Sequence, residues 1–335
     1  ETAPFPGVSL IGAGIIVNAS NVTVKHLRIR IGNDTHTPLT SGDGLKVIGT
    51  SKNPTENVLI ESMSLMWATD ENGEAYSPGG GGVKNITFNK VIFAEGLNFA
   101  GRINSDGSRR SHSHGILIGD GSKEITISKS LFVSNQKRNP WLTDDSTALI
   151  INNVIANPAN QIMSVAGAGS KGGQFTIIGN VAIAGYNTQS VVIGTDPTRP
   201  ANKGRLMWVS LAAEKGTKVY MNDNKFIIEE NITKYDWEVS DVTEYISRHN
   251  ESPVSIEPLI WKPLSSIEIL PSSIVVNTIL NEAGARPWEI DYQDIRIKNN
   301  VIFGTGRRID THLQRGGFPQ LKSTYQPFDL RTLIK

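Results

Sequence analysis

The sequence predicts an all-β chain wound into a parallel β-helix, with long loops and a C-terminal cap of loop and helix. Three observations carry that expectation. A short phrase, an Asn or other polar residue followed by alternating β-branched and apolar residues, recurs along the chain, and its copies fall roughly 25 residues apart where no insertion intervenes. The third is compositional: 38% hydrophobic residues, 19% charged residues and 32 glycines among 335 residues are too apolar for disorder.

In chain order, the opening runs of the phrase are Asn21-Val22-Thr23-Val24, Asn57-Val58-Leu59-Ile60, Asn85-Ile86-Thr87-Phe88, Glu124-Ile125-Thr126-Ile127 and Phe175-Thr176-Ile177-Ile178. A second run follows a turn, as in Asn153-Val154-Ile155, Asn180-Val181-Ala182 and, more loosely, Asn224-Lys225-Phe226. Strands this short cannot bury an apolar face alone, so successive coils must stack and share parallel hydrogen-bond ladders. A β-sandwich also uses short strands but has no reason to repeat the phrase.

Insertions at Gly32–Ser41, Asp70–Gly82 and Asn98–Ser113 are rich in Gly, Asp, Asn and Ser, and are expected to hang from the coils and wall a groove. From about Asp223 the phrase fades into a stretch that reads as loop, including Lys234–Trp237 and Pro253–Pro263. A helix is expected after it, where Ala283–Trp288 leads into Ile290, Ile295 and Ile297 with Pro287 near the start. The expected organisation is a catalytic β-helix over 1–226 and a lid or cap over 227–335 packed on the same solenoid. A separate C-terminal domain would have a marginal core.

Charge and cysteine content narrow the function. With 33 basic and 32 acidic residues the formal charge is +1, so no bulk field favours nucleic acid or an anionic membrane. The absence of Cys excludes disulfides, a thiolate nucleophile and thiolate-held metals. Apolar runs such as Ala148–Ile151 fall far short of the roughly 20 residues that cross a bilayer, so no membrane insertion is expected.

Two clusters could carry chemistry. Asp43, Glu61, Asp70 and Glu71 come from neighbouring coils and offer hard oxygen ligands suited to calcium, although Asp is also a favoured turn residue. The other cluster is basic: His112, His114, Lys137 and Arg138, with Arg109 and Arg110 in the preceding loop. Side by side, His114 and Arg138 would form a cationic notch for a carboxylate or sulfate. His112 and His114 alternate along an extended chain and face one side, so they could instead hold a metal or simply lie on the surface. Trp67 and Trp141 suit stacking on sugar rings or burial. Gly12-Ala13-Gly14 and Gly79–Gly82 lack the partners of nucleotide-binding loops. Six Asn-x-Ser/Thr sequons use residues that turns and strands favour anyway.

Taken in order, several phrases resemble the pectate lyase superfamily, specifically bacterial polysaccharide lyase family 1. They are Thr2-Ala3-Pro4, His26-Leu27-Arg28-Ile29-Arg30, Asp43-Gly44-Leu45, Trp67-Ala68-Thr69-Asp70-Glu71-Asn72, Phe93-Ala94-Glu95-Gly96-Leu97, His112-Ser113-His114-Gly115, Arg138-Asn139-Pro140 and the tail phrases Gly284-Ala285-Arg286-Pro287, Gly304-Thr305-Gly306-Arg307 and Gly316-Gly317. The resemblance implies a right-handed parallel β-helix that cleaves a uronate polysaccharide by β-elimination, with an acidic polysaccharide as partner and a secreted or periplasmic location. More chain is expected ahead of Thr2-Ala3-Pro4, and no export signal is visible in this chain.

By the same resemblance Arg138 is the Brønsted base, Asp43 binds calcium, and Asp70 with Glu71 falls near another calcium-binding position. The expected site therefore places Arg138 and His114 in catalysis, His112, Lys137, Asn139 and Trp141 on substrate, and Asp43, Glu61, Asp70 and Glu71 on calcium. Three departures widen the expected substrate beyond pectate: Glu61-Ser62 stands where the family has Asp-His, His114 where a lysine is common, and Thr143 where a second arginine is common. Two rival readings are a β-helical hydrolase using Asp144 and Asp145, and a non-catalytic glycan-binding or host-recognition β-helix.

Overall fold

In the computed structural model, residues 7–33, 42–99, 105–108, 111–167, 169–193, 205–238, 240–259 and 267–319 are described. Three sheets of nine, seven and seven strands, parallel except for the last strand of the first, form a right-handed parallel β-helix. Each coil contributes one strand to each sheet. One coil, for example, runs through Val83–Asn89 in the third sheet, Ile92–Ala94 in the first and His114–Gly119 in the second.

The alternation in the phrase becomes a column of side chains inside the coil. Ile60, Phe88, Ile127, Ile150 and Ile177 lie in register on successive strands of the third sheet, and all are buried. Each such burial is worth roughly 1.5–3 kcal/mol. Phe93 and Phe132 stack alongside at 4.8 Å, and Phe88 meets Phe93 at 6.2 Å.

The recurring Asn has a matching physical cause. The turn from the third sheet to the first begins with a residue in left-handed backbone geometry, Lys129, Asn152, Gly179 or Asp223. The next residue then aims its side chain along the stack. Asn153 Oδ1 accepts from the Ser130 amide at 2.9 Å, Asn180 Oδ1 from the Asn153 amide at 2.9 Å, and Asn224 Oδ1 from the Asn180 amide at 3.0 Å. Ser130 Oγ extends the column to the Val91 amide, and the Asp236 carboxylate ends it on Asn224. Turn amides that no strand can pair are thereby satisfied within the protein. On another edge Asn85 donates to Asn57 and Asn57 to Asn21, so two of the sequon asparagines are partners in a ladder.

The C-terminal part departs from the expectations in three ways. The stretch read as loop contains Ile232–Tyr235, an antiparallel strand on Lys225–Glu229, and the helix Thr243–His249. The expected helix starts at Tyr292, later than Pro287, because Asp291 is its N-cap and accepts from the Asp294 amide at 2.9 Å. A further helix, Ser272–Glu282, was not expected, since Ile274, Val275, Val276, Thr278 and Ile279 read as strand formers. Val275, Ile279 and Ile297 of the two long helices pack with Ile92, Leu131, Val154 and Val181 of the first sheet. These helices cap that sheet and are not a lid over the second sheet, where the candidate residues gather. Pro4, Arg109, Arg110 and Pro263 lie outside the described residues.

Candidate active site

The site is built at the leading edge of the second sheet from successive coils. Glu71 opens the strand Glu71–Tyr76, His114 opens the next strand directly opposite it, and Lys137 forms a parallel bridge with His114 from the coil beyond. Asp43 lies one coil earlier, where its Oδ1 accepts from the Glu71 amide at 3.2 Å. Arg138 has left-handed backbone geometry, and its carbonyl accepts from the Ile116 amide at 2.7 Å. That kink ends the turn and sets the Arg138 side chain back over the preceding coils. Its Nη1 touches Glu71 Oε1, and its guanidinium lies 4.1 Å from the centre of the Trp141 ring.

Asp70, Glu71, His112, His114 and Arg138 thus converge. Asp70 Oδ1 is 3.1 Å from His112 Nδ1 and 3.4 Å from His114 Nδ1, while Glu71 Oε1 is 3.2 Å from His114 Nδ1. Ligand atoms of Asp43, Asp70 and Glu71 all lie within 4.8 Å of one another. Lys137 and Trp141 line an adjoining cleft of about 350 Å³ with Gln161, Ser164, Trp208 and Glu244.

Burial sets the charges. It lowers the Arg138 guanidinium to about 10, against the pull of Asp70 and Asp43. It lowers His114 to about 4 despite a hydrogen bond to Asp70, so the imidazole is neutral at pH 7. The expectation of a cationic His114 is corrected on that ground: desolvation outweighs its acidic neighbours.

Two residues that sequence reasoning missed belong here. Lys46 Nζ bridges Asp43 at 2.8 Å and Glu74 at 2.5 Å. Burial opposes the Lys46 charge, but hydrogen bonds to Asp43 and Glu74 outweigh it and hold the ammonium above its ordinary value. Burial pushes Glu74 up to about 7, only partly offset by Lys46. The signal was period two: Lys46 and Glu74 occupy paired, outward positions of adjacent strands.

Two expected members fall elsewhere. Glu61 ends the strand Thr55–Glu61 in the third sheet, where Lys25 and Asn89 hold its carboxylate, so it does not join the acidic cluster. Asn139 is 1% exposed; its Oδ1 accepts from Asn135 and its Nδ2 donates to the Gln161 carbonyl, so it packs between coils rather than on the surface of the cleft. Trp67 is also core, with Nε1 donating to Glu95 at 3.1 Å.

A parallel β-helix with an acid–base cluster on one sheet edge is the class that this fold and site define. The chain has the fold of pectate lyases. It is similar to a pectate lyase bound to a hexasaccharide (TM-score 0.53, 13% identity, 84% of this chain and 65% of that one). It is similar also to the thermostable pectate lyase PL 47 (0.51, 14%, 85% and 66%) and to jun a 1, the major allergen from cedar pollen (0.53, 14%, 84% and 72%). The chain spans just under two-thirds of the first two proteins. No family model and no curated protein matches the chain. Among the described residues no helix is long and apolar enough to cross a membrane.

Proposed function

We propose that the protein is a polysaccharide lyase that cleaves a uronate-containing polysaccharide, pectate- or pectin-like, by β-elimination. Residues 1–226 carry the reaction and 227–335 serve as the cap. The observation that carries this reading is the buried Arg138 guanidinium, lowered to about 10 and placed over acidic side chains beside an aromatic-lined cleft.

In the reaction a base removes the C5 proton of a uronate. The electron pair forms the C4–C5 double bond, the C4–O bond breaks, and the departing oxygen takes a proton; no water is consumed. An ordinary guanidinium is a poor base because it stays protonated. Desolvation of Arg138 brings its deprotonated form within reach at alkaline pH. The Trp141 face and the Glu71 contact fix the plane of the group. Lys137 adds positive charge on the cleft wall to draw the substrate carboxylate in.

Calcium fits Asp43, Asp70 and Glu71 by donor chemistry, since three hard oxygen donors come within 4.8 Å of one another and calcium takes such ligands at about 2.3–2.6 Å. Bound there, it would supply positive charge that favours ionisation next to the uronate carboxyl. Neutral His114 keeps Glu71 and Asp70 oriented.

A hydrolase reading finds less support. Asp144 is fully buried, and its Oδ1 accepts from the Glu214 amide at 3.0 Å, while Asp145 binds Lys123 Nζ at 2.8 Å. Both carboxylates are engaged in holding loops. The test is incubation with polygalacturonate, pectin and alginate, with and without chelator, following the ultraviolet absorbance of unsaturated ends. Reducing sugar without that absorbance would establish hydrolysis, and glycan binding without turnover would establish a binding module.

A further inference from the structure

The two histidines have a geometry that goes beyond the role the lyase reading gives His114. His112 and His114 are 3% and 2% exposed, and their ring centres are only 4.5 Å apart. The chain is brought to this arrangement by Ser113, whose φ of 73° folds the backbone between them, while the His112 amide donates to the Asn98 carbonyl at 2.9 Å. Both Nδ1 atoms turn toward the same carboxylate oxygen, Asp70 Oδ1. His112 Nδ1 faces that oxygen at 3.1 Å without an aligned hydrogen bond, although the atom is buried. Burying a polar nitrogen in that state is costly unless something satisfies it.

The spacings match those around a metal. Donors bound at the zinc–nitrogen and zinc–oxygen distance stand about 3.3 Å apart at the corners of a tetrahedron. Observed separations are 3.1 Å from His112 Nδ1 to Asp70 Oδ1 and 3.4 Å from His114 Nδ1 to the same atom. One donor atom from each of Asp70, His112 and His114 lies within 4.8 Å of the other two. Imidazole nitrogens favour borderline transition ions, whereas calcium takes oxygen.

We infer that His112, His114 and Asp70 form a binding site for a divalent transition ion of the zinc, cobalt or manganese class. The site adjoins the oxygen-only group of Asp43, Asp70 and Glu71 and shares Asp70 with it. Three protein donors leave a further coordination position for water or a substrate oxygen. The inference stands apart from the lyase reading, since it concerns the occupancy of a site and needs no turnover.

Cobalt(II) is the probe, because its visible d–d bands report nitrogen ligation and a low coordination number. Chelator-treated full-length protein titrated with Co²⁺ should bind one equivalent with those bands, and its thermal unfolding should shift upward as the ion binds the folded state. His112→Gln and His114→Gln should each weaken Co²⁺ binding by more than about tenfold, the least that losing even a supporting group costs a metal site. Asp43→Asn should keep the bands, and excess Ca²⁺ should not abolish them. Folded wild-type protein that binds no Co²⁺ overturns the inference, whatever the variants do. So does bound Co²⁺ that lacks the nitrogen signature, or binding that Asp43→Asn removes and the histidine variants leave intact. Lyase activity enters none of these readouts, so the two readings fail separately.

Discussion

Arg138 illustrates how one side chain can be moved out of its ordinary chemistry by position alone. Its guanidinium is stacked on Trp141 and touches Glu71, yet desolvation dominates and brings it down to about 10. If it is the base, its reactive form grows as pH rises toward that value. The rate on a uronate polymer should therefore climb through the alkaline range, and Arg138→Ala should abolish that climb and cost about 100- to 10,000-fold near pH 10, measured as initial ultraviolet rates. His114 bears on stability. Its folded value of about 4 lies below the ordinary 6.5, so the unfolded chain binds the extra proton first. The contribution is whole above pH 6.5 and drains away as pH falls toward 4, by up to about 3 kcal/mol. Denaturant midpoints measured across that window should slope in the wild type and flatten in His114→Gln. Arg138 and His114 were legible as members of one notch, because stacked coils place strand ends side by side. The charge on His114 was not legible, since burial comes from neighbours distant in sequence.

The asparagine columns carry the largest testable weight among the elements. Asn180 takes part in both directions: its amide donates to Asn224 Oδ1, its Oδ1 accepts from Asn153, and its Nδ2 reaches the Ile150 carbonyl at 2.8 Å. Asn180→Ala strands a buried turn amide and should cost about 1–3 kcal/mol, read from the urea midpoint. Asn21 and Asn57 are exposed, so Asn57→Ala should cost far less. The coils were legible because the asparagine recurs for this reason and the strands alternate with period two. Ser272–Glu282 was not, since its β-branched residues favour strand locally and only packing on Ile92 and Leu131 favours helix. Glu61 was misassigned for a related reason. Its place in sequence next to a turn says nothing about which of three sheets that turn leaves.

Across the whole molecule, first and last thirds are joined by buried charge. Arg28 and Arg30, both fully buried, meet Asp291 and Asp294 at the start of the helix Tyr292–Ile302; Arg30 Nη1 is 2.9 Å from Asp291 and Arg28 Nε is 3.3 Å from Asp294. Ser64 Oγ adds a hydrogen bond to Asp294 at 2.8 Å. Removing one partner leaves uncompensated charge, so Asp294→Ala should destabilise by about 3–5 kcal/mol and open the helix to limited proteolysis. No local pattern announced this pairing, because the partners are more than 250 residues apart in sequence.

The hairpin of Lys225–Glu229 and Ile232–Tyr235 bears on self-association. A solenoid exposes a template at its last rung, onto which another copy could add end to end and begin a fibre. Here the final strand of the first sheet runs backwards and carries the exposed Lys234. Reversed direction and charge together offer an incoming parallel rung a mismatched track on this sheet, which disfavours end-to-end addition there.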